Sequence, residues 1–158
     1  METGLILVFT GDEVHYSNPA IGQVLRAIGR NMNVCIIDFV AGDRNDWIGS
    51  CSEKVRDMVE VHHFNNGLDP EEKNPRKQWE KAIELINCGK FRIVILEGIS
   101  SVIAEGILDP AEIVRCLAAR PKSMHVIIAD KNVHSDILDI ADHITEVTDA
   151  KLPDNSPH

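Results

Sequence analysis

The chain has 158 residues, 44% of them apolar and 26% charged, which suits one globular domain with a substantial core. A formal net charge of −9, with lysines and arginines scattered along the chain, argues against nucleic acid and anionic membranes as partners. Four cysteines (Cys35, Cys51, Cys88 and Cys116) lie far apart with no C-x-x-C pair, which argues against a disulfide framework or zinc site.

The first apolar run, residues 5–9, is too short to cross a bilayer or serve as a signal-peptide core, so a cytoplasmic location is expected. Residues 4–10 (Gly-Leu-Ile-Leu-Val-Phe-Thr) form a run apolar on both faces, as buried parallel strands are. Residues 19–30 predict a helix with Ile21, Val24, Leu25 and Ile28 on one stripe. A second buried strand is expected at 33–40 and a weaker third at 59–64. Asp69-Pro70-Glu71-Glu72 has helix-opening punctuation: an acceptor at the N-cap, proline at the first position and acid in the first turn. That helix should run to about residue 88 and bury Trp79, Ala82, Ile83 and Ile86.

A strand at 91–96 follows, and Asp109-Pro110-Ala111-Glu112 opens the next helix, with Glu112 at the capping-box position. Arg120-Pro121 ends it. A strand at 125–129, a short helix at 134–141 and a strand at 144–147 complete the pattern. Strands alternating with crossover helices predict an α/β, doubly wound, mostly parallel sheet with helices on both faces. One domain over residues 1–150 is expected, with a flexible tail at 151–158.

In such folds ligands bind beyond the carboxyl ends of the strands, and the first strand-to-helix turn is the usual phosphate site. Here that turn is Thr10-Gly11-Asp12-Glu13-Val14-His15-Tyr16-Ser17-Asn18-Pro19. A phosphate cradle needs glycines that let backbone N–H groups curl round the anion, a lysine for the outer phosphates and a hydroxyl for magnesium. The turn offers Gly11 and the Ser17 hydroxyl, but it has no lysine and carries two acids.

Gly4-Leu-Ile-Leu-Val-Phe-Thr-Gly11 followed by Leu25-Arg26-Ala27-Ile28-Gly29 resembles the opening of the ATP:cob(I)alamin (corrinoid) adenosyltransferases, in the branch built on a P-loop fold. Leu117-Ala-Ala-Arg120-Pro121 and His134-Ser-Asp136-Ile-Leu-Asp139-Ile-Ala-Asp142 are similar to the family's closing motifs, and Glu146 also fits. The resemblance implies a P-loop NTPase-like (RecA-like) three-layer architecture. It also implies transfer of the 5′-deoxyadenosyl group of ATP to the cobalt of a reduced corrinoid, with Mg-ATP and a corrinoid as ligands. A homodimer is compatible with it, and Trp47 is a candidate interface residue.

Residue by residue, His15 stands where the resemblance implies a loop glycine, Tyr16 where it implies lysine, and Ser17 where it implies threonine. The family's acidic pair becomes Glu97-Gly98, and Lys131 stands in the place of an arginine. Asn65-Asn66-Gly67-Leu68-Asp69, in the stretch that the resemblance gives to corrinoid contact, contains no aromatic residue.

The nucleotide candidates are therefore Gly11, Asp12, His15, Tyr16, Ser17, Arg26, Lys131 and His134, with Ser17 and Glu97 for Mg²⁺. Each has a plainer alternative. Gly11 is also what a strand-end turn requires, and Tyr16 either stacks on a base or fills the space of a nucleotide. His15 beside Asp12 and Glu13 also suits a solvated polar loop. Arg26 either reaches a phosphate or pairs with a surface acid. Glu97 either binds a ligand, pairs with a loop cation or faces solvent. The His62-His63 pair should point one ring to each face of its strand. The expected function is that of a diverged family member with lost or weakened ATP-dependent transfer and a binding or assembly role. The alternative is an active transferase holding nucleotide through Gly11, Ser17, Glu97 and a replacement cation, Lys131 or Arg26.

Overall fold

The computed structural model of the chain describes residues 2–11, 17–40, 46–63 and 73–151. The apolar runs become six strands: β1 (Ile6–Gly11), β2 (Val34–Asp38), β3 (Val59–His63), β4 (Ile93–Glu97), β5 (His125–Ala129) and β6 (His143–Val147). They lie in one sheet in the order β3-β2-β4-β5-β1-β6. Every neighbouring pair is parallel, so the sheet is parallel throughout rather than mostly so.

Side-chain alternation feeds two separate cores. Ile6, Val8, Cys35, Ile37, Val94, Leu96, Val126 and Ile128 point to one face. There they meet α3 (Pro75–Asn87), α4 (Ile99–Ala104), α5 (Pro110–Ala118) and α6 (Ser135–Ile140) through Trp79, Val102, Ile113 and Ile137. Phe9, Val34, Ile36, Ile95, Ile127 and Ala129 point to the other face, against α1 (Ser17–Gly29) and α2 (Glu53–Met58). The result is the expected three-layer α/β architecture, consistent with a P-loop NTPase-like fold. No helix among the described residues is long and apolar enough to cross a membrane.

Several expectations need correction. The buried stripe of α1 is Ala20, Val24, Ala27 and Ile28, whereas Leu25 is 51% exposed. The α3 helix starts at Pro75, with the Asn74 side chain accepting from Arg76 N at 3.0 Å, and Lys73 and Asn74 lie outside it. The supposed start at Asp69-Pro70 lies outside the described residues, as do residues 65–68 and the tail beyond Lys151. Asp109 does cap α5, accepting from Ala111 N at 2.9 Å. Glu112 turns its carboxylate to Arg76 of α3, at 2.7 Å. Trp47 packs against the core on the α1 face.

Candidate functional site

Three apolar runs end in an acid: Val34-Cys-Ile-Ile-Asp38, Ile93-Val-Ile-Leu-Glu97 and Val126-Ile-Ile-Ala-Asp130. In a parallel sheet the carboxyl ends of all strands lie along one edge, so β2, β4 and β5 deliver these acids side by side. Thr145, Phe9, Ala129, Glu97, Asp38 and His63 form one registered row across the sheet. Residues in a row share a face, and this row faces α1 with Phe9 and Ala129. Neighbouring strands are about 4.8 Å apart, which places the Asp38 and Glu97 side chains next to each other and Glu97 two strands from β1.

The acids are inside the protein: Asp38 is 0% exposed, Glu97 2% and Asp130 5%. Glu97 therefore does not face solvent. Hydrogen bonds to backbone amides hold Asp38 and Asp130. Asp38 Oδ1 accepts from Val40 N at 2.9 Å. Asp130 Oδ2 accepts from Ser100 N at 2.7 Å, and its Oδ1 from Lys131 N at 3.1 Å. The backbone carbonyl of Glu97 accepts from Phe39 N at 2.9 Å, which stitches β4 to the turn after β2. His63 Nδ1 lies 3.6 Å from Asp38 Oδ2. Among the described residues, the buried His63 Nδ1 and Ser100 Oγ have no hydrogen-bond partner.

On the opposite face of β3, His62 Nε2 lies 2.7 Å from Glu60 Oε1, and Lys90 pairs with the second oxygen of Glu60. The Lys90 ammonium, and then His62, hold the Glu60 carboxyl below its ordinary range. The two neighbouring histidines thus point to opposite faces, as alternation requires.

Of the sequence-predicted residues, the structure gathers Gly11, Glu97, Lys131 and His134 at this carboxyl edge, with Ser17 as the first residue of α1. Gly11 has φ 137°, and a Cβ there would lie 1.9 Å from the Val147 carbonyl oxygen. Close approach to β6 therefore requires glycine at this position. His134 is the N-cap of α6, its Nδ1 accepting from Asp136 N at 3.1 Å. Asp12, His15 and Tyr16 lie outside the described residues. Arg26 sits in the last turn of α1, at the other end of the sheet, among residues at the starts of β1 and β5. The structure does not bring it to the loop.

Sequence reasoning missed Asp38 and Asp130. The signal was present, because both follow a four-residue apolar run in the way Glu97 does.

The sequence model of the family described as ATP:corrinoid adenosyltransferase BtuR/CobO/CobP matches residues 2–156. A corrinoid adenosyltransferase of a Sinorhizobium species is 29% identical over 161 residues, covering 96% of this chain and 75% of that protein. One from Salmonella typhimurium is 28% identical, covering 95% and 79%. One from Pseudomonas aeruginosa is 24% identical, covering 93% and 76%. The family model covers nearly the whole of this three-layer α/β chain: the chain belongs to the ATP:corrinoid adenosyltransferase family.

Proposed function

We propose that this member of the family has lost or weakened ATP-dependent adenosyl transfer and serves as a binding or assembly protein in corrinoid metabolism. One observation carries the reading: the turn from Gly11 to Ser17 contains Asp12 and Glu13 and no lysine. A triphosphate brought there would meet two carboxylates in the loop, with Asp38, Glu97 and Asp130 buried along the same edge. Without its charge-assisted lysine contact, a desolvated phosphate site loses roughly 2–4 kcal/mol of transition-state stabilisation, on the order of 30- to 1,000-fold in rate.

Glu97, and Ser17 by its place in the chain, are the residues that would hold Mg²⁺, which would neutralise phosphate charge. Asp130 already accepts two backbone amides, and Asp38 accepts one. The anionic remainder of the nucleotide finds no cradle in the loop sequence, so the residues do not fit Mg-ATP. Structural contacts of two residues in segment 134–142 support this reading. His134 caps α6, and Asp142 Oδ2 accepts from Ile6 N at 2.7 Å while Asp142 N donates to Ile6 O at 2.8 Å. The unpartnered Ser100 Oγ supports a site that still receives a polar ligand, because leaving such an atom buried and unpaired destabilises a fold.

Calorimetric titration with Mg-ATP, followed by spectroscopy for Co–C bond formation with reduced corrinoid, tests the reading. The expected result is binding weaker than about 100 µM and no turnover. Tighter binding together with turnover establishes the active transferase instead. Tyr16→Lys, which puts an ammonium group where the family resemblance places one, is expected to strengthen nucleotide binding.

A further inference from the structure

A cavity of about 330 Å³ opens at the amino-terminal edge of the sheet, the end away from Gly11 and Glu97. Its walls come from the last turns of α1 and the starts of β1, β4 and β5. The floor is apolar, built from Leu7, Ala27, Met32, Ile93 and Ile127. Leu5, 44% exposed, extends that apolar surface to the mouth. The size falls at the lower end of small-molecule sites, roughly 300–1,000 Å³.

The rim has a different chemistry. Arg26 and Arg30 stand one helical turn apart and both line the cavity. Neither makes an ion pair with a described residue, although the chain has nine more formal negative than positive charges. Arg26, in the last turn of α1, suits the helix dipole, but Arg30 just beyond the helix repels it at this spacing. His125 lines the same cavity. Its Nδ1 accepts from Leu5 N at 3.1 Å, so the ring proton sits on Nε2 as a donor. Burial first, then the Arg92 guanidinium, push its pKa down and keep the ring neutral. Glu2 is the acid on this rim. Two arginines, one glutamate and a neutral histidine leave one net positive charge.

We propose that this cavity is a second binding site, separate from the carboxyl edge. Its ligand is a small amphipathic carboxylate that buries an apolar ring or short chain on the floor and sets its carboxylate between Arg26 and Arg30. A guanidinium fork matches a carboxylate in two parallel hydrogen bonds, and the single net charge of the rim matches a monoanion better than a phosphate dianion. The site does not depend on the state of the phosphate loop.

The test is a ¹H–¹⁵N NMR titration of the full chain with 2-naphthoate, with 2-naphthalenemethanol and inorganic phosphate as controls. Saturable shifts at the amides of Leu7, Ala27, Met32 and Ile127 are expected with naphthoate, with the neutral alcohol binding far more weakly. Arg26→Gln combined with Arg30→Gln, both at exposed positions, should weaken naphthoate binding about tenfold or more. Glu2→Gln should tighten it, which gives a variant with the opposite sign. The proposal is overturned if the naphthoate shifts appear at Ala129 and Lys131 instead. It is equally overturned if the double variant binds as well as the parent, or if inorganic phosphate reproduces the same shifts at the same affinity.

Discussion

Arg120 donates from all three guanidinium nitrogens: Nε to Met124 O at 3.0 Å, Nη1 to Leu117 O at 2.8 Å and Nη2 to Gly4 O at 2.7 Å. It thereby closes the end of α5, holds the turn before β5 and ties both to the start of β1. Hydrogen bonds from a charged donor contribute about 1.5–3 kcal/mol each and do not sum, so Arg120→Ala should destabilise the chain by roughly 2–4 kcal/mol in urea unfolding. Arg120→Lys should recover little, because an ammonium cannot span three carbonyls in this fork geometry. A loss below about 1 kcal/mol for the alanine variant would mean that water replaces these contacts. In the sequence, Arg120 is visible as part of a motif but its partner is not. Guanidinium chemistry is the same toward phosphate and carbonyl, and Gly4 lies 116 residues away. Arg26 was misplaced for a different reason. The helix was legible and starts at the turn, so Arg26, nine residues along it, lies about 13 Å from its start, a distance that the sequence reading left out of account.

Gly98 shows the same limit at the scale of an element. It has φ 78°, and a Cβ there would lie 2.1 Å from Val40 Cγ2 and 3.1 Å from Val40 N. The strand-to-helix turn after β4 is therefore compatible with glycine and not with the second acid that family resemblance places there. Restoring that acid is not a local change. Gly106 offers an internal control, with φ 73° and open space around its Cβ position. Left-handed backbone alone costs a non-glycine residue about 1–2 kcal/mol, so Gly106→Ala should lose roughly that amount. Gly98→Ala and Gly98→Asp should lose at least about 1 kcal/mol more, since the Val40 contact adds to the same backbone cost. Equal losses at the two positions in thermal or urea melts would show that Val40 moves aside freely. The four inner strands β1, β2, β4 and β5 were legible as apolar runs, because a parallel strand buried on both faces has little polar alternation to obscure it, whereas the edge strands β3 and β6 carry polar residues and are only partly buried. The α4 helix was not. It starts directly from Gly98 with no side-chain cap, and its Ser100 and Ser101 break the apolar pattern. The start of α3 was misplaced because Asp-Pro at 69–70 and Asn-Pro at 74–75 carry the same punctuation, and only tertiary contact chooses between them.

Across the whole molecule, the shifted titrations divide the pH scale into a plateau and two flanks. His125 has its pKa lowered from 6.5 by burial, then by the Arg92 guanidinium, with Arg120 adding to this and Glu2 opposing it. Below pH 6.5 the unfolded chain takes up a proton that the folded chain refuses, so stability falls as the pH drops toward the folded value. Glu60 extends that flank: its folded pKa lies below 4.5 because Lys90 and His62 favour the carboxylate, and its contribution fades as the pH falls through that range. On the alkaline side Cys35, buried in the core on β2, is pushed up to about 12 from 9.0, chiefly by burial. Above pH 9 the unfolded chain releases this proton while the folded chain retains it, and stability declines again. Melting temperature should therefore be flat between about pH 7 and 9 and fall on both sides. His125→Gln keeps an acceptor for Leu5 N and removes the titrating ring, so its melts should stay flat further below pH 6.5 than those of the parent. Cys35→Ala should flatten the alkaline flank in the same way, at the expense of a small cavity that lowers the curve at every pH. Parallel parent and variant curves across these windows would remove both assignments at once.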